Sequence, residues 1–179
     1  MLIKTIFSGF GGQGVLSMGY TLANAAMREG KYVTYLPSYG AEVRGGTANC
    51  TVSISDEEIA SPVASAPEFV VAMNQPSFLR FQSLIQAGGL ILVNSSMVNT
   101  SSVRGDIEVI EVPTSELTEK LGNLKVTNMV MLGAFIRVSN LISFPLLLKN
   151  LPEILGGKRA SFLKINKEAL EKGFNYVKG

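Results

Sequence analysis

The sequence contains no histidine and only one cysteine, Cys50. Without histidine, no imidazole can act as a general base, a member of a catalytic triad or a metal ligand. A single cysteine cannot hold an iron–sulfur cluster, a cysteine-rich zinc site or an intrachain disulfide. We therefore expect no catalytic residue and no metal site on this chain, and any redox centre that works with it is expected to lie elsewhere.

Long hydrophobic runs and an excess of charge of one sign are also missing. The most apolar stretch, residues 129–147, is interrupted by Arg137, Asn140 and Pro145, whereas a membrane-spanning helix needs roughly 20 largely apolar residues. The apolar run at the N-terminus is too short for a secretory signal. Sixteen Lys and Arg residues against 14 Asp and Glu residues give a net charge of +2, which does not indicate nucleic-acid binding. We expect a cytoplasmic protein that binds neither membranes nor nucleic acid.

The residues that are present predict one α/β domain over residues 1–179. Hydrophobic residues make up 46% of the chain and charged residues 17%, which suits a packed core. Patterns of period two and period 3.6 place the elements along the chain. Strands are predicted at 2–8, 31–36, 47–55, 69–73, 90–93 and 107–112, and helices at 15–28, 76–86, 114–119, 127–141, from Pro145 onward and at 166–176.

This order predicts a three-layer, Rossmann-like fold with a mostly parallel sheet and helices on both faces. The alternation in residues 47–55 is typical of an antiparallel strand. We expect Cys50 to be buried on this strand as a small apolar residue. Pro37 is expected to end the strand at 31–36, and Thr114 and Ser115 are expected to cap the helix that follows them.

A glycine-rich turn connects the first strand to the first helix. Gly9, Gly11 and Gly14 fit the pattern G-x-G-x-x-G in the strand–turn–helix context that this motif requires. Backbone N–H groups at the start of a helix attract anions such as phosphate. A classical NAD site also needs an acid at the end of the second strand, but residues 35–38 read Tyr-Leu-Pro-Ser. The alternative is that the glycines serve only a tight turn and close helix–strand packing.

The segment after the second strand, residues 38–47, is polar and rich in glycine. In a parallel α/β sheet, loops that leave the carboxyl ends of strands line the ligand crevice. We therefore expect this segment and the glycine turn to lie on one edge, where Arg44 could bind a carboxylate or phosphate. The alternative is that Glu42 and Arg44 form an exposed ion pair of little energetic weight.

Four segments together resemble one protein family. They are GFGGQGV at 9–15, SYGAEVRGGTANC at 38–50, AMNQPS at 72–77 and NMVMLGAF at 128–135. In this order they resemble the gamma subunit of 2-oxoacid:ferredoxin oxidoreductases, and the resemblance covers most of the chain.

The resemblance implies a subunit of an enzyme that converts a 2-oxoacid and coenzyme A to acyl-CoA, CO2 and reduced ferredoxin. Thiamine diphosphate, magnesium and iron–sulfur clusters would be held by alpha and beta subunits, or by alpha, beta and delta subunits. Coenzyme A is the one ligand that this chain itself would bind, and the isolated chain is expected to be inactive. The loop SYGAEVRGGTANC resembles the 2-oxoglutarate type most, then the 2-oxoisovalerate type; the pyruvate and indolepyruvate types and a non-catalytic nucleotide- or CoA-binding module are the alternatives.

The resemblance and the two loops together indicate the site residues. Gly9, Gly11, Gly12, Gln13 and Gly14 are expected to bind a phosphate of coenzyme A through backbone N–H groups. A second group is expected at the active-site rim or a subunit interface: Tyr39, Glu42, Arg44, Gly45, Gly46, Thr47, Asn74 and Gln75. For Asn74 and Gln75 the alternative is capping of the helix that begins there.

Overall fold

The computed structural model describes residues 1–38, 47–156 and 163–178, which form six strands and six α-helices. The strands are β1 (Leu2–Phe10), β2 (Tyr32–Ser38), β3 (Thr47–Ser55), β4 (Phe69–Ala72), β5 (Leu90–Asn94) and β6 (Glu108–Val112). The helices are α1 (Val15–Arg28), α2 (Gln75–Gln82), α3 (Thr114–Glu119), α4 (Thr127–Ser139), α5 (Phe144–Leu155) and α6 (Leu163–Tyr176). A short 3₁₀ helix, Leu124–Val126, precedes α4.

The strands form one sheet in the order β2-β3-β1-β4-β5-β6. β3 pairs antiparallel with both β1 and β2, while β1, β4, β5 and β6 pair parallel with one another. The predicted mostly parallel sheet with one antiparallel strand is therefore confirmed. Since β3 lies between β1 and β2, the antiparallel pair of β2 and β3 lies at one end of the strand order, and β2 is an edge strand.

Each face of the sheet is covered by helices. Successive strand residues point to opposite faces, so Phe7 joins the larger core with residues of α1 and α4, whereas Ile6 joins the smaller core with Phe78 and Phe81 of α2. The predicted layers on both faces are confirmed. α1 and α2 lie on opposite faces because their apolar residues belong to different cores.

Helix α4 is central to the larger core, as its apolar character on all sides predicts. Residues 128–136 are all buried. At the crossing of α4 with α6, a Cβ on Gly133 would meet the backbone of Leu170, and a Cβ on Gly173 would meet the backbone of Val130. The two glycines thus allow the helix backbones to touch.

Several predicted boundaries were wrong: α6 begins at Leu163 instead of 166, α4 ends at Ser139 instead of 141, and two further differences have a clear structural reason. Pro37 lies within β2, paired with Cys50, because β2 is at the edge of the sheet and proline is tolerated in an edge strand. Helix α2 ends at Gln82, before the predicted residue 86. The amide of Gln86 instead donates to the carbonyl oxygen of Pro67, so the chain there has already left the helix.

Candidate functional site

The candidate site lies at the carboxyl edge of the parallel strands. β1 is followed by α1 on one face and the adjacent strand β4 by α2 on the other. Ligands of open α/β sheets bind in the crevice at such a change of direction. The glycine loop, residues 9–14, connects β1 to α1 at this point.

Two glycines of the loop adopt backbone conformations that L-residues with side chains rarely adopt. Gly12 has φ of +94° and Gly14 has φ of +72°. Open space surrounds Gly12, whereas a Cβ on Gly14 would overlap the side chain of Asn128 on α4. Gly9 is closely packed, since a Cβ there would lie 2.9 Å from the Cβ of Met73. Of Gly9, Gly12 and Gly14, Gly12 is therefore the one with the most room beside it.

The backbone amides of the glycine loop differ in whether they donate a hydrogen bond to another described residue. The amide of Gln13 donates to the carbonyl oxygen of Phe10 over 3.1 Å. Within the described part of the chain, the amides of Gly11, Gly12 and Gly14 make no hydrogen bond. Of the five residues predicted to bind phosphate, three thus have amides that no other described residue uses, and the positive end of the α1 dipole lies beside them.

The side chain of Gln13 binds the glycine loop to the end of β4. Its Oε1 accepts hydrogen bonds from the amide of Phe10 over 2.6 Å and from Nδ2 of Asn74 over 3.1 Å. Its Nε2 donates to the carbonyl oxygen of Met73 over 3.1 Å and contacts the sulfur of Met97 at 3.3 Å. Gln13 therefore holds the loop to the neighbouring strand, and it also lines the cavity beside the loop.

Asn74 and Gln75 bind other parts of this chain. Asn74 is 1% exposed, and its Oδ1 accepts from the amide of Ser77, which makes it the N-cap of α2. The side chain of Gln75 binds both backbone groups of Asn99: Oε1 accepts from the amide over 2.6 Å, and Nε2 donates to the carbonyl oxygen over 3.2 Å. The capping alternative thus describes Asn74, and Gln75 fixes the loop after β5.

The second predicted segment begins and ends at the same edge as the glycine loop. Thr47 pairs with Phe10 at the end of β1, and Ser38 pairs with Asn49. The residues between them that were predicted for the rim or interface lie outside the described residues: Tyr39, Glu42, Arg44, Gly45 and Gly46.

Cys50 is an unreactive core residue, as predicted. It is 0% exposed, and its burial raises the pKa of the thiol to about 12. Since the thiolate is the nucleophilic form, almost none is present at neutral pH.

A cavity of about 220 Å³ opens beside the glycine loop and includes residues that sequence reasoning missed. The missed residues are Asn94, Met97, Ser115, Lys125, Thr127 and Asn128. They come from the end of β5 and the loop after it, from α3, and from the 3₁₀ helix and the first turn of α4, so only the fold brings them together. A polar residue directly after a predicted strand was the one available signal, and it applied to Asn94.

Asn94 helps to build the floor of this cavity. Its Oδ1 accepts from the hydroxyl of Thr114 over 2.7 Å, and its Nδ2 donates to the carbonyl oxygen of Met73 over 3.4 Å. The exposed ammonium of Lys125 is the single cation among the cavity residues described. Together with the amide of Gly12, which donates to no other described residue, it makes this cavity suited to an anion.

Metal and membrane features are not found in the described ranges. No group of three or more potential metal-ligating side chains occurs there. None of the helices described has both the length and the apolar character needed to span a bilayer.

Comparisons with known proteins agree with the motifs. The family model for pyruvate ferredoxin/flavodoxin oxidoreductase matches residues 4–176. Ketoisovalerate oxidoreductase subunit VorA of Methanothermobacter thermautotrophicus is 44% identical over 131 residues, or 73% of this chain. Those residues make up 27% of VorA, so the chain spans about a quarter of that relative.

Two further relatives match most of their own length. 2-Oxoglutarate synthase subunit KorC of Methanothermobacter marburgensis is 36% identical over 143 residues, covering 76% of this chain and 77% of KorC. The solved keto/oxoacid ferredoxin oxidoreductase gamma subunit from Geobacter sulfurreducens has a TM-score of 0.82 and 28% identity, covering 97% of this chain and 96% of that one.

Proposed function

The chain belongs to the pyruvate ferredoxin/flavodoxin oxidoreductase family, and from that premise we propose that it acts as the gamma subunit of a 2-oxoacid:ferredoxin oxidoreductase. The resemblance found in four sequence motifs is confirmed by the family match and by the similarity to KorC. The fold of the Geobacter gamma subunit extends over nearly the whole of both chains. These matches support a role as one subunit of a larger enzyme.

The proposed reaction joins the acyl part of a 2-oxoacid to coenzyme A, with release of CO2 and transfer of electrons to ferredoxin. Thiamine diphosphate would supply the carbanion chemistry and iron–sulfur clusters the electron path, both on partner alpha and beta, or alpha, beta and delta, subunits. This chain supplies no histidine and only one, buried, cysteine. Its role would therefore be to bind and position coenzyme A, and the isolated chain would be inactive.

The glycine loop would bind a phosphate of coenzyme A. The observation that carries this role is the set of amides at Gly11, Gly12 and Gly14, which donate to no other described residue and lie beside an open cavity at the carboxyl edge of the sheet. Backbone N–H groups at a helix start bind phosphate well because they point at the ligand and carry partial positive charge. Gly9 and Gln13 would hold the loop in this shape.

The polar segment at residues 38–47 would complete the wall of the coenzyme A site or contact a partner subunit. Thr47 lies beside the end of β1, so residues that precede it in the sequence start from the same edge. Tyr39, Glu42, Arg44, Gly45 and Gly46 would act there, and Arg44 would bind a negative group of the ligand or the partner.

Two substrates are the leading candidates. The loop SYGAEVRGGTANC favours 2-oxoglutarate, which is also the substrate in the name of the 36% identical KorC. The 44% identity to VorA favours 2-oxoisovalerate. Pyruvate and indolepyruvate complete the set to be tested.

The test is to purify the tagged chain from its own cells, identify the subunits bound to it and assay the complex. We expect coenzyme A-dependent reduction of ferredoxin with one of the four 2-oxoacids, and loss of that turnover when this chain is omitted from the reconstituted complex. Full turnover by the chain alone, or by the complex without it, would contradict the proposal. A partner-free chain that binds coenzyme A would instead support a stand-alone binding module.

A further inference from the structure

A continuous chain of hydrogen bonds joins the start of α2 to the glycine loop. The amide of Ser77 donates to Oδ1 of Asn74 over 3.0 Å, and Nδ2 of Asn74 donates to Oε1 of Gln13 over 3.1 Å. Nε2 of Gln13 then donates to the carbonyl oxygen of Met73 over 3.1 Å. Since α1 and α2 lie on opposite faces of the sheet, this chain of bonds connects a helix of one face to the loop that begins the helix of the other.

Backbone groups determine the orientation of both side-chain amides. A backbone N–H can only donate and a backbone carbonyl can only accept. The amide of Ser77 therefore faces the oxygen of Asn74, which turns Nδ2 of Asn74 toward Gln13. The amide of Phe10 donates to Oε1 of Gln13 over 2.6 Å, and the carbonyl oxygen of Met73 accepts from its Nε2. The bonds from Ser77 to Met73 thus all run in one direction, an arrangement in which neighbouring bonds strengthen one another.

Asn74 itself is out of reach of a ligand. Its side chain is 1% exposed, and it is not among the described residues that line the cavity beside the glycine loop. It contacts Gln13, and Gln13 in turn binds the amide of Phe10 at the beginning of the loop. An effect of Asn74 on the loop is therefore transmitted by Gln13.

We propose that Asn74 is a positioning residue of the glycine loop, whose Nδ2 holds the amide of Gln13 in the orientation that fixes Phe10. The capping of α2 and the positioning of the loop are then two roles of one side chain, the first performed by its oxygen and the second by its nitrogen. The inference rests on the proposed function in so far as the loop binds coenzyme A. The hydrogen bond at Phe10, in contrast, is measurable without any ligand.

Two substitutions at Asn74 separate the two roles. Asp and Ser both keep an oxygen that can cap the helix, but neither has the nitrogen that donates to Gln13. In Asn74→Asp the amide of Gln13 is expected to turn over, so that Nε2 donates to the new carboxylate and the amide of Phe10 loses its acceptor. We expect the Phe10 amide to exchange with solvent roughly fivefold to tenfold faster in this variant, because one hydrogen bond is lost, and to a smaller extent faster in Asn74→Ser. The measurement is hydrogen exchange by NMR on the full chain.

A second capping asparagine provides the matched control. Asn123 caps the 3₁₀ helix through Oδ1, and its Nδ2 donates to no described residue. We expect the Phe10 amide to exchange at the wild-type rate in Asn123→Asp. The amide of Met73, which donates to the carbonyl oxygen of Ser8 over 2.8 Å, should stay protected in every variant and thereby show that the strands remain paired. Unchanged exchange at Phe10 in both Asn74 variants would overturn the inference.

The affinity of the assembled complex for coenzyme A tests the consequence for the ligand. We expect the uncharged variant Asn74→Ser to bind coenzyme A several-fold more weakly than the wild type. Faster exchange at Phe10 with unchanged affinity would overturn the inference, since the loop would then bind its ligand in either shape. A wild-type complex that binds no coenzyme A would contradict the proposed function itself, and the exchange rate of Phe10 would still decide whether Asn74 positions the loop.

Discussion

Gln13 is the residue that holds the glycine loop to the neighbouring strand. Its amide group makes contacts at both ends: Oε1 accepts from Phe10 and Asn74, and Nε2 donates to Met73. The open conformation at Gly12 is therefore maintained by a side chain next to it, and a change at Gln13 should act on stability before it acts on any ligand.

We expect Gln13→Glu to lower the free energy of unfolding by about 1–3 kcal/mol. The isosteric carboxylate keeps the acceptor but cannot donate to the carbonyl oxygen of Met73, which then faces a negative charge. The measurement is the denaturant midpoint of the purified chain, with Gln86→Glu at an exposed position as the control. Equal losses in the two variants would show that the added charge, and not the hydrogen bond, is responsible.

At the scale of elements, the crossing of α4 and α6 depends on the absence of side chains at the contact. We expect Gly173→Ala to destabilise the chain by about 1–3 kcal/mol, since its Cβ would overlap the backbone of Val130. This cost outweighs the helix propensity that alanine gains, which is at most about 1 kcal/mol.

Thermal unfolding measures this effect, with Gly105→Ala as the matched control. A Cβ on Gly105 meets nothing within 4 Å, so that variant should unfold at the wild-type temperature or slightly above. A Gly173→Ala variant as stable as Gly105→Ala would mean that the helices can separate at no cost.

Sequence periodicity predicted single elements well and their partners poorly. The bounds of α1 and β3 agree with the predicted ranges because each has a clear repeat over its whole length. The cap of α3 was predicted wrongly: Pro113 is the N-cap, and the hydroxyl of Thr114 donates to Asn94 instead. Long-range partners of this kind leave no local pattern.

The same distinction applies to the candidate site. The glycine loop was visible because its residues are consecutive in the sequence. Lys125, Asn128 and Asn94 line the same cavity but follow other elements, and the order of the strands was needed to bring them together.

At the scale of the whole molecule, one edge of the sheet holds the proposed function. β1, β4 and β5 end there, β2 ends there, and β3 begins there. The larger core packs the strands that end at this edge against α1 and α4. The N-terminus of α1 lies at the same edge. If the proposed function is correct, a partner subunit that covers this edge would enclose the ligand between two chains, and neither chain alone would turn over.

The most direct test of this account is the affinity of the assembled complex for coenzyme A when Gly12 is changed to Asp or to Asn. Both side chains meet the same backbone cost at φ of +94° and are nearly equal in size, so they differ in charge alone. We predict that Gly12→Asp binds coenzyme A at least tenfold more weakly than Gly12→Asn, because its carboxylate lies where the phosphate should bind. Equal affinities in the two variants would show that no anion binds at the glycine loop.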